Sequence, residues 1–141
     1  MLALYFLDKK IIFGKRVRRR ARSVNTKTST AVKQDYLKNK EIARGLINSR
    51  LQYFSRLYNI AYGRVSIRNQ KSRWGSCSRQ GNLNFNYRLL YLSDSLRDYV
   101  IVHELCHIRE FNHGKNFWSL VSQSIPDYKE LRREIKKIRL S

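Results

Sequence analysis

Several things are scarce in this 141-residue chain. It has two cysteines, Cys77 and Cys106, too few for a disulfide scaffold, so both are expected as reduced, buried thiols. No apolar run approaches the ~20 residues that span a bilayer, so no membrane partner is expected. Met1 to Leu7 is apolar, but it lacks a basic leader and Asp8, Lys9 and Lys10 follow at once; this is not a targeting segment, and the expected location is the cytoplasm. Acidic residues are few, 10 Asp+Glu against 30 Lys+Arg, for a net charge of +20. That excess favours polyanions, DNA or RNA among them, and says nothing of catalysis. Histidine is scarce in a telling way: there are three, and all lie between positions 103 and 113. With 42% hydrophobic and 28% charged residues, the rest is the composition of one folded domain.

The pattern along the chain predicts an α+β protein. Residues 2–7 and 11–17 can pair as a short hairpin, and Lys15 to Arg22 carries six basic residues in eight positions. Ser23 to Thr30 is Ser/Thr-rich and is expected as a connector, which sets a basic segment, 1–35, ahead of a main domain, 36–141. From about Tyr36 to Ile60 a helical period begins, with Ala43, Leu46, Ile47, Phe54, Leu57 and Tyr58 on its core face. Strands follow at Val65 to Arg68, about Arg73 to Ser78, and Leu83 to Leu89, where apolar residues alternate with Asn82, Asn84, Asn86 and Arg88. Gln80-Gly81 marks a turn. The three are expected to form a small antiparallel sheet. Ser93-Asp94-Ser95 opens a helix that is apolar almost all round, with Ser95 and Asp98 loosely like a capping box. Further helices are expected from Lys115 to Val121 and from Pro126-Asp127 onward.

The interior helix is interrupted by His103, Glu104 and His107. Two His four apart on a helix project from one face and can reach one cation. Glu104, one residue off that line, is badly placed as a ligand and well placed to hold the metal's water. Zinc with three protein ligands keeps an open position, acidifies its water toward a pKa of about 7 and leaves the proton to the carboxylate as the water attacks a carbonyl. His113 is the expected third ligand. On a straight helix it would sit ~15 Å along the axis from His103, so the chain must turn after about Ile108; Asn112 and Gly114 tolerate the left-handed conformation that ends helices. With three His and five Glu in the chain, HExxH arises by chance with a probability of roughly 0.2%.

Arg73-Trp74-Gly75-Ser76-Cys77, Asn84-Phe85-Asn86-Tyr87-Arg88-Leu89, Tyr99-Val100-Ile101-Val102-His103-Glu104-Leu105-Cys106-His107, Asn112-His113-Gly114-Lys115-Asn116-Phe117-Trp118 and Pro126-Asp127-Tyr128-Lys129 occur in that order. Over about residues 64–135 the chain resembles the YgjP-like zinc metallopeptidase domain, and it is similar to the wider SprT and WLM zincin groups. The resemblance implies a zincin-like fold with a small sheet packed on the HExxH helix and flanking helices. It also implies zinc on His103, His107 and His113, and Glu104 as catalytic acid/base. Members often carry a longer β-rich region in front than residues 1–35 supply.

Trp74 and Trp118 are expected to fill the core beside the active helix. The Asn82, Asn84, Asn86 face either contacts a peptide added at the sheet edge or is simply solvated. Tyr87, Tyr128 and Arg73 are the candidate oxyanion donors. Arg132 to Arg139 belongs to the exposed face of an amphipathic helix. The leading expectation is a zinc-dependent metallopeptidase acting on polypeptides, by Glu104 and a zinc-activated water. The rival is a nucleic-acid-binding protein with a structural or degenerate zinc site, to which only Cys77 or Cys106 could add a soft fourth ligand. The sequence leaves the oligomeric state open.

Overall fold

A computed structural model describes residues 26–140; the expected hairpin and the basic run at 15–22 lie outside the described residues. Helix α1 (Thr26–Tyr58) leads into strands β1 (Val65–Arg68), β2 (Gly75–Cys77) and β3 (Leu83–Asn86). A 3-10 turn (Tyr87–Tyr91) then precedes helices α2 (Asp94–Cys106), α3 (Lys115–Ser122) and α4 (Tyr128–Lys137). The architecture is α+β.

Helix α1 starts ten residues earlier than its apolar period suggests, so Thr26 to Thr30 are helical rather than a connector and position 35 falls inside the helix. No Gly or Pro occurs between Ser23 and Arg44, and once a helix is nucleated each added residue gains a hydrogen bond. Its end is sharply made. Asn59 takes φ 51°, its N–H donates to the Arg56 carbonyl, and Ile60 N–H donates to Ser55 O at 3.0 Å; this is a Schellman stop with Asn in the left-handed position. Ala43, Ile47, Leu51, Phe54 and Tyr58 face the core. Leu57, expected on that face, is 59% exposed, because one turn holds room for Phe54 and Tyr58 and 57 lies off their line.

The sheet is mixed rather than antiparallel. Its order is β1-β3-β2, with β1 parallel to β3 and β2 antiparallel to β3. The β2–β3 hairpin closes through Ser78 and Asn82, with Gly81 at φ 74° supplying the turn. The link from β1 to β2 crosses the end of β3, where the buried Asn86 side-chain amide donates to Gln70 O (2.7 Å) and Arg73 O (3.1 Å). Strand β3 therefore enters between the other two. The same Asn86 accepts from Arg88 N–H and starts the 3-10 turn, which is why the strand stops four residues into its alternation while Tyr87 and Leu89 stay buried.

Helix α2 is capped by Ser93, whose hydroxyl accepts from Leu96 N–H. Ser95 and Asp98 form no box; Asp98 instead receives Arg50 of α1 in a two-pronged ion pair at 2.8 and 2.6 Å. Arg97, buried, donates to the carbonyls of Leu89 and Leu92 and to Asp94, fixing the start of α2 on the 3-10 turn. Tyr58 donates to Leu120 O at 3.0 Å, tying α1 to α3. Clamped in this way, α2 lies against β2 and buries every residue from Tyr99 to Cys106. No helix among the described residues is long and apolar enough to cross a membrane.

Candidate metal centre

The last turn of α2 carries His103 and His107, 3% and 2% exposed, on one side, and Glu104, 2% exposed, beside them. The helix stops at Cys106, and Ile108, Arg109 and Glu110 fold back through bonds to Leu105 O and Cys106 O at 3.0–3.1 Å. This reversal was expected from left-handed residues at Asn112 or Gly114. Gly114 is instead extended (φ −80°, ψ −173°), and among the described residues only Asn59 and Gly81 have positive φ. The turn is made by the 3-10-type bonds and by His107, whose Nδ1 lies 3.0 Å from Glu110 O. An N–H donated there leaves the lone pair on Nε2, the arrangement that orients a metal-binding imidazole.

The reversal returns His113 to the helix. Its Nε2 lies 3.0 Å from His103 Nε2, and His107 Nε2 lies 3.2 Å from the same atom. Ligands at the 2.0–2.1 Å of a Zn–N bond in a tetrahedral shell are separated by about 3.3 Å; the two separations from His103 are close to that, and all three ligand atoms lie within 4.8 Å of one another. The potential ligand group consists of His103, His107 and His113; Glu104 is not in it, nor is either cysteine.

Burial sets the electrostatics. It pushes His107 down to about 4, partly opposed by the Glu110 bond, and His113 below its usual value. His103 falls well below, through burial and then its two His neighbours. All three imidazoles are thereby favoured in the neutral form that a metal ion would need. Glu104 is raised to about 8 by burial, against the pull of Arg73. Cys77 and Cys106 are buried thiols raised to about 12, Cys77 by burial and then the Glu104 charge, Cys106 by burial against Arg109.

Two contributors were not legible as site residues. Gly75 of β2 lies so close to the catalytic helix that a Cβ there would meet Glu104 Cγ at 2.6 Å and Oε1 at 2.9 Å; its absence of side chain makes Glu104's seat. Phe117 stacks on His107 at 4.5 Å. Trp118, expected as core filling, is half-buried and stacks on His113 at 5.6 Å, with Tyr128 against it at 4.9 Å. Helix α3 is thus an aromatic buttress for the imidazoles. The spacing Phe117-Trp118 after His113 was the only sequence signal for it. Trp74 is core, as expected.

Of the oxyanion candidates, Tyr87 is engaged elsewhere, and Tyr128 and Arg73 stand beside site residues. Tyr87 donates to Asp35 at 2.8 Å, which removes it as an oxyanion donor. Tyr128 belongs to the Trp118 stack, and Arg73 acts on Glu104. The Asn face is not at an edge, because β3 is the middle strand; Asn82 and Asn84 are half-buried and Asn86 is buried. Asn82 accepts from Arg64 N–H, Asn84 donates to Ser76, and Asn86 holds the crossing link.

A YgjP-like metallopeptidase domain matches residues 8–138. The chain belongs to that family. With the family comes the enzyme class, a zinc metallopeptidase. The match extends well in front of the motifs that carry the resemblance in the sequence. Two solved structures share the fold. The metallopeptidase zymogen of Pyrococcus abyssi abylysin is 23% identical, covers 64% of this chain and 92% of its own, and superposes with a TM-score of 0.60. The zymogen of Methanocaldococcus jannaschii jannalysin is 26% identical over 65% of this chain and 97% of its own, with a TM-score of 0.54. No curated protein matches the chain.

Proposed function

We propose that this YgjP-like protein hydrolyses peptide bonds of polypeptide substrates in the cytoplasm, with His103, His107 and His113 as zinc ligands and Glu104 as the general base. The observation that carries the reading is the convergence of three imidazoles, with the Nε2 atoms of His107 and His113 at 3.2 and 3.0 Å from that of His103, and a buried carboxyl beside them that is not part of the ligand group. When bound, zinc polarises a carbonyl oxygen, lowers the pKa of water toward about 7 and favours the ionised form of a nearby carboxyl. Glu104 takes the proton of the attacking water on a carboxylate oxygen, then returns it to the departing amine. Gly75 leaves room for that carboxylate, and the Arg73 charge favours its ionised form. Phe117 and Trp118 fix the imidazole planes and exclude water behind them.

The test is Glu104→Gln, which keeps size and hydrogen-bonding shape. It should retain zinc and lose roughly 10²–10⁴-fold in kcat, the usual worth of a general base. Full activity in this variant contradicts the mechanism.

A second reading rests on the +20 charge: DNA or RNA is a second partner, and in the limiting case the zinc is structural. A structural site closes with a fourth protein ligand, and neither cysteine stands in the ligand group. Binding that weakens steeply with salt, together with no hydrolysis of any peptide, would favour this reading.

A further inference from the structure

Where the link into β2 meets the C-terminal end lies a second feature that the hydrolytic chemistry does not use. Lys71, Ser72, Arg73 and Trp74 on the link into β2, with Lys136 and Leu140 from the C-terminal end, line a cavity of about 120 Å³. It is small beside the 300–1,000 Å³ of ordinary ligand pockets. Three of its lining residues are cationic, Ser72 adds a hydroxyl, and none of the described residues that line it is acidic. Trp74, Ile135 and Leu140 form an apolar wall. Lys71 and Lys136 are exposed at its mouth.

We propose that this pocket is a specificity site for an acidic side chain of the substrate, a glutamate more than an aspartate. The idea rests on the peptidase reading above. The charge of the lining asks for an anion, through charge-assisted hydrogen bonds from the lysines and the hydroxyl. The apolar wall suits the methylene stem of a glutamate and offers nothing to a bare phosphate. Its place in the chain joins it to the chemistry. Trp74 is followed directly by Gly75, the residue on which Glu104 rests, and the Arg73 charge reaches the Glu104 carboxyl. A peptide anchored on the link into β2 is bound to the segment that also seats the general base, the kind of remote binding that orients a scissile bond.

The experiment uses the full chain loaded with zinc and two labelled peptides that differ only by Glu against Gln at the varied positions. Binding is measured by fluorescence anisotropy in the Glu104→Gln background, and cleavage in the wild-type background, each with and without Lys71→Ala plus Lys136→Ala. Both lysines are exposed, so the double variant keeps its core. The Glu peptide should bind about tenfold more tightly than the Gln peptide at low salt, and the lysine double variant should lose most of that difference, with the same change in the ratio of kcat/KM. Equal binding of the two peptides, or an undiminished preference in the double variant, overturns the proposal even if wild type cleaves both. Lysine-dependent binding of the Glu peptide without any cleavage leaves the pocket standing and removes the peptidase reading. Lysine-dependent binding of a single-stranded oligonucleotide with no preference for the Glu peptide overturns the proposal in favour of nucleic acid.

Discussion

Gly75→Ala isolates one contact of the catalytic carboxylate. Gly75 does not have positive φ, so alanine is allowed there by the backbone and the effect comes from the added methyl alone. That methyl would stand 2.6 Å from Glu104 Cγ, 2.9 Å from Oε1 and 3.0 Å from Cδ. Comfortable carbon–carbon contact is about 3.5–4.0 Å, so Glu104 must retreat by about 1 Å or β2 must move off α2. Overpacking of this kind costs about 1–3 kcal/mol, and at about 3–4 °C per kcal/mol for a domain of this size the zinc-free Tm should fall by roughly 3–12 °C. A displacement of about 1 Å in a catalytic group lowers kcat by about 10²-fold. The three atoms nearest the added methyl all belong to Glu104 and none to an imidazole, so zinc content should stay near that of wild type. The assay is kcat on a fluorogenic peptide at matched zinc occupancy, with Tm by calorimetry. Wild-type kcat and wild-type Tm in Gly75→Ala would refute the packing of Glu104 on β2.

The zinc-free protein should be most stable near pH 6.5. The imidazoles are depressed when folded, His107 to about 4, so their contribution is present above 6.5 and is lost as pH falls toward 4. Glu104 is raised to about 8 when folded, so its contribution is present below its usual 4.5 and is lost as pH rises through 8. Glu104→Gln should remove the alkaline limb of the Tm–pH curve and keep the acid limb; an unchanged alkaline limb contradicts the burial of Glu104. His113→Ala should weaken zinc by more than about 100-fold in a chelator competition, with the helical circular-dichroism signal kept, because His113 lies in a half-buried loop rather than in a helix; retained affinity would assign the third ligand elsewhere. Cys77 and Cys106, both buried with pKa raised to about 12, should resist a thiol reagent at pH 8 until denaturant is added. Fast labelling of the native protein would contradict their protonated, buried state.

The candidate ligand group was legible in the sequence because its constraints are local. His103 and His107 are one helical turn apart, and the axial distance to His113 demanded a reversal that the chain makes. The apolar period marked α1, β1 and β3 as helix or strand, while the 3-10 turn at Tyr87–Tyr91 had no such signal. What the sequence hid depends on contacts distant along the chain. Strand order was set by Asn86 gripping the crossing link sixteen and thirteen residues before it, which no alternation of apolar residues records. Asp98 was claimed by Arg50, 48 residues away, so a local capping pattern lost to a tertiary ion pair. Gly75 looked like part of a strand motif, and only the closeness of α2 shows why a side chain is excluded there. The start of α1 was missed because Ser and Thr suggest a connector by composition, while nothing in that stretch stops a helix from propagating.

The most direct test of the central claim is the zinc content of the purified protein. Wild type and Glu104→Gln, prepared without added zinc and dialysed against a weak chelator, are compared by elemental analysis. About one zinc per chain in both is the result predicted for a three-histidine site in which Glu104 is not a ligand. Less than about a tenth of an equivalent in wild type, not restored by added zinc, would contradict it.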